Sequence, residues 1–433
     1  MSIDFAALLV VSLMLAALIV GWGISWVVRS PSGRYWPLDI HVLNSAFFLL
    51  LDFQFLFASQ YVSFRIGEQT LNCSDSVLLT LQVGNAIVFC LYATLLKLLA
   101  ARTTASGKQH ISSHSRLASL LVFLIIASVV CGVLAWSIVA LGISGLIELV
   151  GARQYRNEFV FVILNASPFA IVGCLYVIFK ARSLPYSLAA VVVAGGVAVL
   201  SGGRGNIVSA FLLLVCACLA NGRPLNPYRM LVFGVLPLIV VLQAYTMYVR
   251  YIGFQKIERG DIWFGQVVES ETFAIWKSVY AVSETGFSLP YPFYSLSASL
   301  FFPVPRSIAE FKPEPPSTMF TKIVSPVRFE NTGSEITLSG LGAWMAEFGP
   351  FSGALLFGGF LALVSSFQYR LSMQHNRQIE AFVLYFYTFS LWRSDMFTAS
   401  RVLWTFLIVT AVFLVLRLAL SLLVPQSSVR LIA

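Results

Sequence analysis

Long apolar stretches recur from the start of this chain almost to its end, and most are long enough to cross a bilayer. A span needs about 20 apolar residues, and runs near that length cover roughly 5–28, 39–62, 77–100, 117–143 and 159–179. Further runs cover roughly 186–202, 206–221, 230–249, 341–367, 379–391 and 402–424, three of them short. The pattern predicts an all-α polytopic membrane protein with about 11 transmembrane helices. Composition agrees: 58% of the 433 residues are hydrophobic, 11% are charged and the mean hydropathy is +0.84, outside the range of water-soluble domains. Length alone would suit two or three soluble domains, but the runs reach the C-terminal end, so one membrane domain over 1–433 is expected. The first run exceeds a signal-peptide core and is followed by Arg29, so it reads as a retained span.

Basic residues set the orientation. Arg29 and Arg34, then Lys97, Arg102, Lys108 and Arg116, then Lys180 and Arg182, then Arg223 and Arg229, then Arg370 and Arg377 all fall on one side. Positive-inside sorting makes that side cytoplasmic. It also accounts for much of the +9 net charge, so nucleic acid is set aside as a partner. The N-terminus is then outside and Arg430 inside. The outer face has short loops and one large segment, 250–340, the only one long enough to cap a site. Within it the stretch 248–286 has helical spacing, one helix of which suits the membrane interface. Five prolines in "FFPVPRSIAEFKPEPPSTM" then predict a rigid, extended loop. No internal repeat stands out. Five of the six cysteines lie inside apolar runs, which leaves no disulfide framework or metal cluster to expect.

Arginine on the outer face runs against positive-inside sorting, so its positions carry information. In "SGGRGNI", Arg204 is bracketed by Gly202, Gly203 and Gly205, a turn that leaves amides unhindered near a helix start and suits an anion. The same face carries Arg250 beside Tyr251, Arg306, Lys312, Arg393 and Arg401. Guanidinium forks match phosphate oxygens in paired hydrogen bonds, so several together suit a diphosphate. The plain alternative is an arginine that snorkels to lipid headgroups. Acids that could serve as a general base include Asp395, two residues from Arg393, and Glu335 in "NTGSEITLSG", with Glu347 as a further candidate. All four histidines fall at cytoplasmic positions, which takes histidine out of outer-face chemistry. Asp52, in "LLLDFQFLFASQ", sits mid-span and reads either as a wall of a polar path or as a hydrogen-bonded pin between helices. No D-x-D pair, P-loop or G-x-S-x-G is present.

The order of these motifs over about 201–404 resembles the Wzy-type O-antigen polymerases, the oligosaccharide repeat unit polymerases of Gram-negative inner membranes. "SGGRGNI" is similar to that family's arginine-bearing turn, and "VRYIG" to its basic and aromatic exit from the next span. "FPVPRSIAEFKP" places Pro305, Arg306, Lys312 and Pro313 in the family's loop pattern. "GLGAWMAEFGPFSG" and "WRSDMFTASRVLW" resemble its post-loop span and late arginine pair. Many relatives carry an acid after a glycine where this chain has Ala343 after Gly342, which leaves Glu335 or Glu347 as the substitute.

The resemblance implies a GT-C-like glycosyltransferase architecture and a polymerase that needs no cofactor. Its donor would be a growing glycan on undecaprenyl diphosphate. Its acceptor would be the non-reducing end of a new lipid-linked repeat unit, at the periplasmic face. It further implies that Arg204, Arg250, Arg306, Arg393 and Arg401 grip the diphosphates while Gly203, Gly205, Tyr251 and Lys312 help bind substrate. The base would be Asp395, Glu335 or Glu347, and a chain-length-regulating (Wzz-like) co-polymerase would be the partner. Three rivals stand: an O-antigen ligase, which usually carries an outer-loop histidine; a flippase or transporter using Asp52; and a noncatalytic scaffold.

Overall fold

The computed structural model describes residues 3–29, 39–100, 113–151, 158–181, 183–200, 204–221, 275–304, 308–332, 335–374 and 377–423. The chain divides into two compact units, Met1–Gly107 with Gly260–Leu403, and Lys108–Arg259 with Trp404–Ala433. Both are helical, and among the described residues five helices are long and apolar enough to cross a membrane: Phe5–Trp26, Ile40–Ala58, Asp75–Leu99, Pro350–Ser372 and Met396–Leu423. The chain is therefore an α-helical membrane protein.

The first unit is built on α1 (Ile3–Arg29), α2 (Ile40–Ala58) and α3 (Asp75–Ala100). A hairpin of β1 (Ser63–Ile66) and β2 (Gln69–Asn72), unforeseen in the sequence, joins the last two in antiparallel register Ser63 to Asn72. Its turn residue Gly67 has φ +61°, and an added Cβ would lie 2.6 Å from Ser325 Cβ, so both backbone angle and space demand glycine.

The second unit holds α4 (Ser113–Gly151), α5 (Glu158–Tyr176), a π-helical turn at Val177–Ala181, α6 (Leu184–Leu200) and α7 (Arg204–Ala220). Gly142, at φ 70° and ψ 167°, breaks α4. Tyr176 donates to Thr410 Oγ1 at 2.8 Å and packs at a tilt on Phe413, tying α5 to the helix that carries both.

The remainder of the first unit supplies α8 (Ile275–Thr285), α9 (Tyr294–Leu300), α10 (Pro316–Val324), α11 (Pro326–Thr332), α12 (Gly340–Phe348), α13 (Pro350–Ser372) and α14 (Gln378–Arg393). It also supplies the start of α15 (Met396–Leu423), which continues into the second unit. The sequence run expected as one span over 341–367 is two helices. Gly349 at φ +89° turns the chain, and Pro350, which lacks an N–H, starts the next helix. The turn is tight because Gly353 sits on the Trp344 carbonyl, where a Cβ would come within 2.1 Å of the oxygen. Residues 340–348 thus form a separate helix, largely buried against its neighbours. The proline-rich stretch likewise differs from a wholly extended loop: Pro315 and Pro316 open α10, proline being suited to a first helical turn. The run expected over 230–249 lies outside the described residues.

Polar side chains inside an apolar bundle must find partners, and here they pair across helices. Asp52 accepts from Ser12 Oγ at 2.8 Å and from Gln82 Nε2 at 2.6 Å, so it pins α2 to α1 and α3. Asn44 donates to Ser365 Oγ at 2.9 Å and to Tyr92 Oη at 3.2 Å and accepts from Trp392 Nε1 at 2.8 Å, which ties α2, α3, α13 and α14. Of the two readings open for Asp52, the pin is the one observed.

α3 and α13 approach closely because Gly358 faces Val88, where an added Cβ would lie 2.7 Å from Val88 Cγ1 and 3.2 Å from its carbonyl oxygen. Small residues at such contacts let membrane helices pack backbone to backbone. Gly358→Leu is expected to cost about 1–3 kcal/mol by overpacking, read as a lower melting temperature in detergent, whereas Gly359→Leu, with only Leu95 at 4.0 Å, should melt near wild type.

Candidate functional site

Among the described residues three chain reversals of the first unit meet: the hairpin between α2 and α3 touches the end of α10 through Glu68 and Val324, and the turn from α14 into α15 touches its start through Asp395 and Ser317. The site is built there, from α10, the strand-like stretch before α12, and the first two turns of α15.

Asp395 precedes α15 and is fully buried. One carboxylate oxygen accepts from Thr398 N at 2.8 Å, capping α15. The other accepts from Ser317 N at 2.9 Å and from Ser317 Oγ at a short distance, capping α10 as well. α10 needs this outside help because Pro315 at its N-cap has no side-chain oxygen to offer. One carboxylate thus neutralises the positive ends of two helices, and its lone pairs are taken up in doing so.

The stretch entering α12 is laced to α10 rung by rung. Thr318 Oγ1 donates to Glu335, Ile336 N donates to Thr321 Oγ1 at 2.7 Å, and Leu338 N donates to Ser317 Oγ at 3.1 Å. Ser339 then caps α12 through Gly342 N at 3.1 Å and meets Ser278 of α8 at 2.8 Å. Glu335 is therefore held at the rim, with part of its side chain in solvent and its carboxyl drawn in toward Thr318. That loss of water pushes its pKa above the ordinary glutamate value; the Thr318 hydrogen bond pulls the other way, the Asp395 charge pushes it further up, and Arg401 opposes.

Arg401 lies one and a half turns into α15. Its guanidinium sits 5.8 Å from the ring centre of Phe302 and feels the charges of Glu335 and Asp395. Its Nε–H is buried with no partner, and among the described residues no ion pair engages it. Phe302 packs on Phe397 at 5.1 Å. Lys312 closes the other side of that pair. Its Nζ donates to the carbonyls of Phe302 and Val304, each at 2.9 Å, and lies 5.9 and 5.8 Å from the rings of Phe302 and Phe397.

The fold thus brings together four residues singled out from sequence, Asp395, Glu335, Arg401 and Lys312. It separates their roles: Asp395 and Lys312 are engaged in holding structure, while Arg401 keeps hydrogen-bond donors to spare. Glu347 faces elsewhere, accepting from Ser295 N at 3.4 Å at the start of α9, its pKa raised chiefly by burial. Arg393, in the last turn of α14, stacks 5.3 Å over Phe389. Arg204 and Gly205 begin α7 in the second unit. Gly203, Arg250, Tyr251 and Arg306 lie outside the described residues. Sequence reasoning missed Ser317, Thr318, Phe302 and Phe397. A signal for the first two was present, since Ser-Thr directly after a proline pair and before an apolar run marks a helix start.

Among the described residues no group of three or more His, Cys, Asp or Glu side chains is placed to hold a metal ion. What the arrangement offers is a guanidinium with open donors, shielded on one side by an aromatic ring, beside a carboxylate that is partly withdrawn from water. Fold and site together define a helical membrane protein in which Arg401, Glu335 and Asp395 interact where the first unit's helix α15 begins. No protein-family profile, no curated protein and no solved structure matches the chain.

Proposed function

We propose that the protein is a lipid-linked glycan polymerase of the periplasmic face of a bacterial inner membrane, with about 11 spans in a GT-C-like arrangement. It moves a growing glycan from undecaprenyl diphosphate onto the non-reducing end of a new lipid-linked repeat unit. The observation that carries this reading is the uncommitted Arg401 guanidinium beside Glu335 at the end of a membrane bundle.

The acceptor hydroxyl attacks the anomeric carbon of the donor sugar, and its proton passes to Glu335. The bond from that carbon to the diphosphate oxygen breaks, and undecaprenyl diphosphate leaves with the electron pair. Negative charge grows on the leaving oxygen, and Arg401 stabilises it more in the transition state than in the ground state. Arg204, Arg250, Arg306 and Arg393 remain candidates to hold the remaining phosphate charge. Asp395 is a positioning residue for Ser317 and Arg401. A transporter would route its cargo past Asp52, and the engagement of Asp52 by Ser12 and Gln82 favours the enzyme over it.

Deleting the gene in its host and resolving surface lipopolysaccharide on a gel tests the reading. Lipid A core carrying a single repeat unit, with the ladder restored by the wild-type gene, supports a polymerase. Loss of every repeat points instead to a ligase or flippase.

A base must be ionised, so the acid limb of kcat/KM for purified enzyme on lipid-linked repeats should lie above pH 4.5, the ordinary glutamate value, in the direction that burial shifts Glu335. Glu335→Gln is expected to lose about a hundredfold or more in kcat and to abolish that limb. An unchanged limb in the variant would assign the base to another group.

A further inference from the structure

One surface of the first unit is not explained by the site. Residues 286–304 contain no charged side chain although they lie outside the apolar spans. Within this stretch Leu296 and Leu300 lie about one turn apart on α9, and Phe293 is its N-cap; all three are exposed, Phe293 by 58% and Leu300 by 60%. Ile308 and Phe311 beyond it are 75% and 72% exposed, and Phe311 packs edge-on against Phe301 at 5.2 Å. The opposite face of α9 is buried, through Tyr294, Ser295, Ala298 and Ser299. Exposed apolar patches of this kind mark an interaction surface.

The depth of that surface is set by what holds it. Leu289 N donates to the Ala346 carbonyl at 2.8 Å, Ser295 N donates to Glu347, and Phe293 packs on Phe348 at 5.2 Å. All three anchors lie within four residues of Pro350, where the apolar span α13 begins, and Phe351 in its first turn is itself exposed. The exposed face of α9 therefore adjoins the exposed first turn of an apolar helix long enough to span a membrane. Tyr291, half-exposed and paired with Tyr294 at 5.0 Å, supplies the amphipathic ring favoured at that level.

We infer that α9 and the turn carrying Ile308 and Phe311 lie in the bilayer interface, their exposed side chains seated among the upper acyl chains of the leaflet on the site's side. The occupant of this surface is lipid, and the inference stands whether or not the protein is a polymerase. It has a consequence for the site, because Phe302, which underlies Arg401, follows Leu300 by two residues. The arginine is then held at headgroup depth, where the phosphate of a membrane-anchored substrate lies.

The test is depth-resolved quenching. In a background lacking the native cysteines, Leu300→Cys and Phe311→Cys are labelled separately with an NBD fluorophore and reconstituted into phosphatidylcholine and phosphatidylglycerol vesicles, after gel filtration confirms a folded species. Blue-shifted emission, quenched more by lipid carrying a doxyl group near the headgroup than by lipid carrying it near the chain end and little by aqueous iodide, is expected. Red-shifted emission quenched by iodide would overturn the inference by placing the patch in water. Blue-shifted emission untouched by either quencher would overturn it too, by showing the patch covered with protein.

Discussion

Arg401→Ala should abolish polymer formation while the protein still folds and inserts. Removing one preorganised donor from a developing oxyanion typically costs about 10²–10³ in kcat. Here the loss should reach at least the upper part of that range, because a full charge is removed as well. Stability should change little in comparison, since among the described residues the guanidinium has no hydrogen bond or ion pair to lose; it gives up its packing over Phe302. Arg401→Lys keeps the charge but not the fork, and should recover only a fraction of the rate. The measurement is turnover of purified enzyme on lipid-linked repeat units, beside melting of the same preparations. A variant that keeps wild-type turnover removes Arg401 from the reaction and with it the observation on which the proposed function rests.

Asp395→Ala should act in the opposite sense, failing first in folding. The substitution strands Ser317 N, Ser317 Oγ and Thr398 N, each buried or partly buried, and leaves Arg401 with one opposing charge fewer. A buried group left without its partner costs about 1–3 kcal/mol, so the sum of three is a large share of a typical stability margin. Ser317→Ala removes the two hydrogen bonds of its hydroxyl, to Asp395 and from Leu338 N, but leaves Asp395 capping both helices, and should lie between Asp395→Ala and wild type. Yield of monodisperse protein and melting temperature across the three proteins check the order. If Asp395→Ala folds and melts as wild type and has lost only turnover, the residue is a base and not a double cap.

The contrast between these two residues shows where reading the chain ran out. Asp395 and Glu335 were both legible as acids near re-entry points to the membrane, and Arg401 as a basic residue on the sparse side. Which acid is engaged depends on Ser317, 78 positions away from Asp395, and no local pattern reports a contact at that separation. The same holds for Asp52, whose two readings are parted only by the partners Ser12 and Gln82. The split at Gly349 was missed for another reason: residues 341–367 are apolar enough throughout for hydropathy to join them, and hydropathy takes no account of a backbone at φ +89°. Arg204 shows a further limit. Its glycine-flanked turn was plain in the sequence, and the structure adds that it begins a helix, α7.

Apolar length and charge spacing, both properties of neighbouring residues, were enough to establish a helical membrane protein and to single out the arginines as candidates. Each of these follows from transferring local segments between water and hydrocarbon, a free energy that sums along the chain. The roles of individual polar groups do not sum that way. Whether a carboxylate is a cap, a pin or a base is decided by which donors the folded chain brings to it, and those donors come from helices far apart in sequence. The tertiary structure alone supplied them for Asp395 and for Asp52, and it alone left Arg401 with donors to spare.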